Sequence, residues 1–486
     1  MKYVMILWKV LVVLLFSCSK SATQRTPELV ISTEKISFSA IGDARTFHVK
    51  SNVSWSVTSS AAWLTLSSSG GESGTHKIDA VASTNDGMTE REAVITVNAG
   101  NMTMRVDVIQ AAIGHEDGED LLAVPPISEG VTSDAVALAA KLRVGWNLGN
   151  ALEAAASPAT ANETMWGNPP TRKALIDAVK AAGFNAVRIP CAWSGYIKDQ
   201  ATHRISASWL ARVKEVVDYC VDNDMYAIIN IHWDGGWLEE HPLYSHQAAV
   251  NAKQKALWEQ IAAYFRDYDE HLLFAGTNEV HADYNAPTAE HIEVQQSFNQ
   301  TFVDAVRSTG GRNAYRNLIV QAYNTNIRYA VDYLKMPVDE TADRLMVEVH
   351  AYDPWDFAGD GNSEKYLWGQ EFAGSPNVSS WGQEAWIDAS FASMKSNFIN
   401  KGIPVILGEY GAILRSGLTN QTALQNHRRS RNSYLTYVTK TAKKYGLIPF
   451  YWDNGVVEDN GFGIFNRLTT MVADQGALDA IMEGVQ

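Results

Sequence analysis

Across residues 29–112, apolar and polar positions alternate with a period of two. The runs are "ISFSAIGDARTFHVKS", "VSWSVTSS", "WLTLSSSGG", "HKIDAVAS", "EAVITVNAG" and "MRVDVIQAA". Gly, Ser and Asn turns separate them at short intervals, and no helical period appears. This texture predicts a small all-β, immunoglobulin-like sandwich over 27–113. The pattern then changes. Eight short apolar runs recur: "LRVGWNLG", "NAVRIP", "YAIINIH", "LLFAGTNE", "NLIVQAY", "LMVEVHAY", "PVILGEYG" and "LIPFYWD". Between them, apolar residues fall three and four apart, as in "TRKALIDAVKAAG" and "ASWLARVKEVVDYCVDND". Eight strand–helix units over 133–486 predict an α/β fold, a (β/α)8 TIM barrel. A doubly wound open sheet competes, but the chain lacks a Gly-rich phosphate loop after the first run. Between the two regions, 114–132 is acidic and then carries Pro125-Pro126, and it reads as a stiffened linker.

Composition narrows the partners. The 486 residues carry a net charge of −14, which excludes the basic stripe that nucleic acid requires and favours a neutral substrate. Fifteen tryptophans and nineteen tyrosines can serve the core or stack on sugars.

At the N-terminus, Lys2 precedes the apolar run Val10–Phe16, which is too short to remain as a membrane span. "LFSC", Leu15 to Cys18, resembles a bacterial lipoprotein signal (1–18) with Cys18 as the lipidated residue. A plain secretory peptide with an incidental cysteine is the alternative. The resemblance implies export and a lipid anchor in the bacterial outer membrane. Exposure at the cell surface stays open, because "SKSAT" after Cys18 has no acidic run. Cys191 and Cys220 read as two inert thiols rather than a bridge.

In a barrel all eight strand ends open on one face, where the active site sits. The residues there are polar: Asn147 and Asn150, Arg188, His232, Asn278-Glu279, Gln321, His350 with Tyr352, Glu409, and Trp452 with Asp453. Such groups are costly inside a doubly buried strand, on the order of 2–7 kcal/mol each when unpaired, and the rim relieves that. Two carboxylates, Glu279 and Glu409, pointing into one cup suit glycoside cleavage, where one acts as acid and the other as nucleophile. A lone "NE" dipeptide would mean little; the joint pattern carries the reading.

That pattern resembles glycoside hydrolase family five. The matching positions are Arg188 in "VRIP", His232 in "NIHWD", Asn278-Glu279 in "TNE", His350 and Tyr352 in "VHAY", Glu409 in "LGEYG" and Trp452 in "FYWD". The resemblance implies Glu279 as acid/base, Glu409 as nucleophile and retention of configuration. The other six would bind substrate or hold the carboxylates. "GWNLGNALE" and "MWGNPPT" resemble the subgroup that cuts β-1,4-glucans, which implies β-glucan polysaccharide as partner and adds Asn150, Trp166 and Trp237 as substrate contacts. Trp193, Trp233 and Trp355 are also within reach of the rim by sequence. The family often has proline after "NE", whereas Val280 and His281 follow here. Residues 29–112 resemble a BACON domain through "WSVTSSAAWLTLSSSGG", "REAVITV" and Val106–Gln110. Trp55 and Trp63 there are read as core rather than as a glycan platform.

No cofactor or metal is expected, since no His-x-His follows the first run and no His-Glu-x-x-His occurs. A monomer is expected. A non-catalytic glycan-binding lipoprotein is the competing function; it could dispense with one carboxylate, and both are present.

Overall fold

The computed structural model describes residues 26–38, 40, 42, 44–85, 90–111 and 124–486. Cys18, the signal segment and the first part of the linker lie outside the described residues. Two compact units are present, one reaching Ala111 and the other running to Gln486.

In the first unit, Leu29–Ile31, Ala44–Ser51, Gly74–Ala82 and Leu64–Leu66 form one antiparallel sheet, in that spatial order. The second sheet orders Lys35–Phe38, Met102–Gln110, Arg91–Ala99, Trp55–Ser59 and Gly70–Gly71, and only its first pair is parallel. The apolar half of each alternating run turns inward, so Phe47, Val49 and Ile78 of one sheet join Val57, Ile95, Val97, Val106 and Val108 of the other in one core. Trp55 is buried, its indole N–H bonded to the Glu72 carbonyl at 3.2 Å. The Arg91 guanidinium covers the Trp63 ring at 4.4 Å. Both rings are thus engaged in packing.

The second unit is a closed barrel of eight parallel strands, as the repeating pattern predicts. They are β1 (Gly145–Leu148), β2 (Ala186–Ile189), β3 (Tyr226–Asn230), β4 (Leu272–Ala275), β5 (Leu318–Asn326), β6 (Leu345–Ala351), β7 (Val405–Tyr410) and β8 (Leu447–Asp453). Each is followed by a helix: α1 (Lys173–Ala181), α2 (Ala207–Val221), α3 (Tyr244–Tyr264), α4 (Ala289–Ser308), α5 (Ile327–Tyr333), α6 (Glu384–Asn397), α7 (Gln421–Tyr445) and α8 (Gln475–Val485). The strands read as unbroken apolar runs because both faces are covered. Ile228, Leu273, Ile319, Met346, Ile406, Ile448 and Phe450 fill the barrel, while Ile229, Phe274, Val320, Val347, Leu407 and their like pack under the helices. Gly145 is small because Phe450 occupies its place: a Cβ there would lie 2.0 Å from the ring.

One strand breaks the alternation, and the break decides the site. On β7, Leu407 faces the helices and Ile406 the interior. Strict alternation would send Glu409 outward with Leu407. Instead, Leu407 pairs with Val349 and Glu409 with the next residue, His350, so β7 carries one extra residue at Gly408. The register against β8 shifts over the same stretch. This β-bulge turns Glu409 into the cup and Tyr410 outward, where its hydroxyl meets Thr439 of α7 at 2.6 Å.

Candidate active site

Above the apolar layers of the barrel lies a buried polar layer centred on Arg188. Its guanidinium donates from Nη1 to Asn147 Oδ1 at 3.0 Å and to Glu409 Oε1 at 2.8 Å, and from Nη2 to Asn278 Oδ1 at 2.8 Å. Its Nε forms an ion pair with Glu348 Oε1 at 2.8 Å. Glu348 also accepts from Gln321 Nε2 at 2.6 Å and meets His350 Nε2 at 3.2 Å. Burial opposes its charge, but Arg188 and His350 prevail and hold its carboxyl down, to about 2. Glu348 fits only because residue 408 is glycine: a Cβ there would come within 2.1 Å of Glu348 Oε1. The small residue before Glu409 makes room for a second carboxylate beneath the rim.

On this layer stand the two candidate catalytic carboxylates. Glu409 is held at both oxygens, Oε1 by Arg188 and Oε2 by the Tyr352 hydroxyl at 2.9 Å. Glu279, beyond the end of β4, meets His350 Nδ1 through Oε1 at 2.6 Å, with the Thr325 hydroxyl at 3.5 Å. The Glu279 side chain is 30% exposed against 7% for Glu409, so it is the one open to solvent and leaving group. One oxygen of each carboxylate and a nitrogen of His350 lie within 4.8 Å of one another. Among the described residues this is the cluster with spacing for a cation. Arg188, already seated on Glu409, supplies the positive charge such an ion would bring.

Proton affinities follow from these contacts. Burial lowers His350, but Glu409, Glu279 and Glu348 outweigh it and raise it to about 10, so the ring is an imidazolium at neutral pH. Burial raises Glu279, yet the hydrogen bond and charge of His350, then Arg188, hold it below its ordinary value. Burial raises Glu409 above its own, with the Glu279 charge adding and His350, Arg188 and Tyr352 opposing.

The remaining sequence candidates separate. Trp452, on β8, stacks against His232 at 5.9 Å between ring centres and 7° between planes, and His232 contacts Asn230 Nδ2 at 3.2 Å rather than either carboxylate. Trp166 is partly exposed and lies 6.1 Å from Trp233, a pair of rings on neighbouring rim loops. Asn150 adopts a left-handed backbone, φ 57°, and its N–H is bonded by Glu153 in the loop after β1. Trp237 packs in the hydrophobic core. It is buried, its N–H bonded to Asp234 Oδ2 at 2.7 Å and its ring covered by Lys253 Nζ at 4.1 Å. Trp193 is likewise core, donating to the Asn230 carbonyl at 2.8 Å. Trp355 is 54% exposed beside Tyr352, with ring centres 6.2 Å apart. Two buried acids beside the candidate catalytic residues escaped the sequence reading, Glu348 and Glu239. The first had a usable signal, since it stands two before His350 on one strand and so shares its face. Cys191 and Cys220 are buried free thiols.

A barrel carrying two opposed carboxylates over an arginine defines a glycosidase-type centre. Residues 152–457 match the cellulase family, glycosyl hydrolase family 5, and residues 28–113 match the viral BACON domain. The chain belongs to glycoside hydrolase family 5. It is 40% identical to a xyloglucan-specific endo-beta-1,4-glucanase of Bacteroides ovatus, over 96% of this chain and 94% of that protein. It is also 40% identical to endoglucanase A of Paenibacillus barcinonensis, over 72% of this chain and 90% of the other. Among solved structures, the Bacteroides ovatus family 5 xyloglucanase in complex with a XXXG heptasaccharide superposes with a TM-score of 0.71 at 40% identity. It covers 95% of this chain and 100% of that one. A family 5 xyloglucanase from Paenibacillus pabuli in complex with ligand gives 0.67 at 40% identity, covering 72% and 100%.

Proposed function

We propose that this enzyme is a retaining endo-β-1,4-glucanase whose main substrate is xyloglucan. The observation that carries the mechanism is the proximity of the carboxylates: oxygens within 4.8 Å suit a nucleophile and an acid across one bond, whereas inversion needs room for a water, about 6.5–9.5 Å. Glu409 attacks the anomeric carbon, and a C–O ester bond forms as the glycosidic C–O bond breaks. The leaving oxygen takes its proton from Glu279. A water then gives a proton to Glu279 and its oxygen to the anomeric carbon, and Glu409 leaves as carboxylate.

In the empty site the raised proton affinity of His350 and the lowered one of Glu279 favour His350 as the holder of the proton that Glu279 needs. Passing it from Nδ1 to Oε1, across 2.6 Å, leaves a neutral imidazole that still donates from Nε2 to Glu348. It also leaves Glu409 paired with Arg188 and Tyr352, the charged form both donors favour. When the ester forms, the Glu409 charge disappears, and Glu279 loses a like-charged neighbour and can serve as base.

The preference for xyloglucan is supported by the relative that spans both units and by the long segment after β6, which leaves exposed Trp355, Trp381 and Trp386 near the catalytic face. Product profiles on xyloglucan, mixed-linkage glucan and carboxymethylcellulose test it. Fastest release of internal fragments from xyloglucan is expected, and Glu409→Ala should release none. Cleavage confined to unbranched glucans would overturn the substrate assignment. Equal release by Glu409→Ala would instead favour the glycan-binding reading. We further propose export and anchoring in the outer membrane through lipidated Cys18; Cys18→Ala should then move from the membrane to the soluble fraction.

A further inference from the structure

Glu239 lies on the loop after β3, in no motif tied to the site, and is buried. One of its oxygens, Oε2, accepts two hydrogen bonds, from Asn278 Nδ2 at 3.0 Å and from the Glu279 backbone N–H at 3.2 Å. Its own carbonyl accepts from the His281 N–H at 2.8 Å. One residue therefore ties down the segment that carries the acid. On the opposite side, Asn278 Oδ1 accepts from Arg188 Nη2 at 2.8 Å. The Asn278 amide is gripped at both ends by groups of opposite character. A flip would set its NH2 against a guanidinium and its oxygen against a carboxyl, so one orientation is enforced. Its second N–H is left for a sugar hydroxyl.

Burying a carboxyl here is expensive. Burial and the Glu279 charge raise its pKa to about 8. A third acid beside two catalytic ones adds repulsion whenever it ionises.

We infer that Glu239 is a positioning residue that fixes the Asn278 amide toward the 2-hydroxyl of the sugar at the cleavage point. This rests on the proposed glucanase function and takes Asn278, one of the substrate-binding positions, as the group that meets that hydroxyl, a contact that strengthens in the transition state. A positioning group of this kind changes turnover more than ground-state affinity, because the contact it sharpens is strongest at the transition state.

The test compares xyloglucan with 2,4-dinitrophenyl β-cellobioside, whose leaving group needs little protonation. In kcat/KM, which reports the first displacement and not the base-assisted second one, losses that act through the acid Glu279 are relieved on the aryl glycoside, and losses at the 2-hydroxyl persist. Glu239→Ala is expected to lower kcat about 100-fold on both substrates, with KM little changed. Glu239→Gln, which keeps an oxygen acceptor of the same reach, recovers most of that loss. In an Asn278→Ala background, Glu239→Ala should cost almost nothing more, since both act through one contact. Additive losses in the double variant, or relief of the Glu239→Ala defect on the aryl glycoside, would overturn the inference. Should Glu239→Ala melt below the assay temperature, Glu239→Asp, one methylene shorter, takes its place: loss with Asp and recovery with Gln support the role, and equal behaviour overturns it. A wild-type enzyme inactive on both substrates would strike at the proposed function instead.

Discussion

Gly408 performs two tasks that a side chain would prevent. It supplies the extra residue that turns Glu409 inward, and it leaves the volume that Glu348 fills. Gly408→Ala must displace the Glu348 carboxylate and with it the Arg188–His350 lattice. A stability loss of about 1–3 kcal/mol is expected from overpacking, with a fall in kcat on the order of 100-fold from the displaced carboxylates. Thermal melts and steady-state rates check both, and wild-type turnover would show that Glu348 is not required where it stands. The same lattice sets a pH window. His350 is raised from 6.5 to about 10, so its contribution to stability is complete below 6.5 and lost as pH rises through 10. Glu348 is lowered from 4.5 to about 2, so its contribution holds above 4.5 and fades as pH falls through 2. Melting temperature against pH should therefore decline on the alkaline side in the wild type and decline less in His350→Gln. Parallel curves would contradict that reading.

Elements were legible to the extent that periodicity wrote them. Seven of the eight barrel strands lie within the apolar runs and β5 runs three residues past its own, to Asn326, because a strand covered on both faces has little freedom to be polar. The strand ends were legible for the converse reason, since Arg188, Glu279, His350 and Glu409 break those runs where only a rim tolerates them. Loops were not legible. Glu239 and Trp237 follow Gly235-Gly236, where the chain turns through left-handed conformations and no period relates a residue to its neighbours. Trp237 therefore looked like a groove aromatic and is core, while Glu239 looked incidental and grips the acid's segment. The bulge at Gly408 was equally hidden, because register belongs to paired strands and not to one run. The segment after β6 puts Trp355 beside Tyr352 with half its surface open. Trp355→Ala should raise KM for polysaccharide roughly fivefold, the scale of about 1 kcal/mol for a stacking contact. Rates on a short aryl cellobioside should change little. An unchanged polysaccharide KM would remove Trp355 from the binding surface.

At the scale of the molecule, closure of the barrel is what brings together two acids 130 positions apart in the chain. Neither acid's local sequence specifies the other; the ring of strands does, and Arg188, itself buried at a strand end, bonds Glu409 on one side and Asn278, the neighbour of Glu279, on the other. The sandwich folds around a core of its own and turns Trp55 and Trp63 to packing. The acidic net charge agrees with a neutral polysaccharide as substrate. Everything proposed for catalysis depends on Glu409 forming a bond to the anomeric carbon while Glu279 faces it across the scissile linkage. Proton NMR of the first reducing ends released from a β-1,4-glucan oligosaccharide reads this directly. The β anomer should appear first and the α anomer only later, by mutarotation; an initial α product would mean inversion and contradict the double displacement.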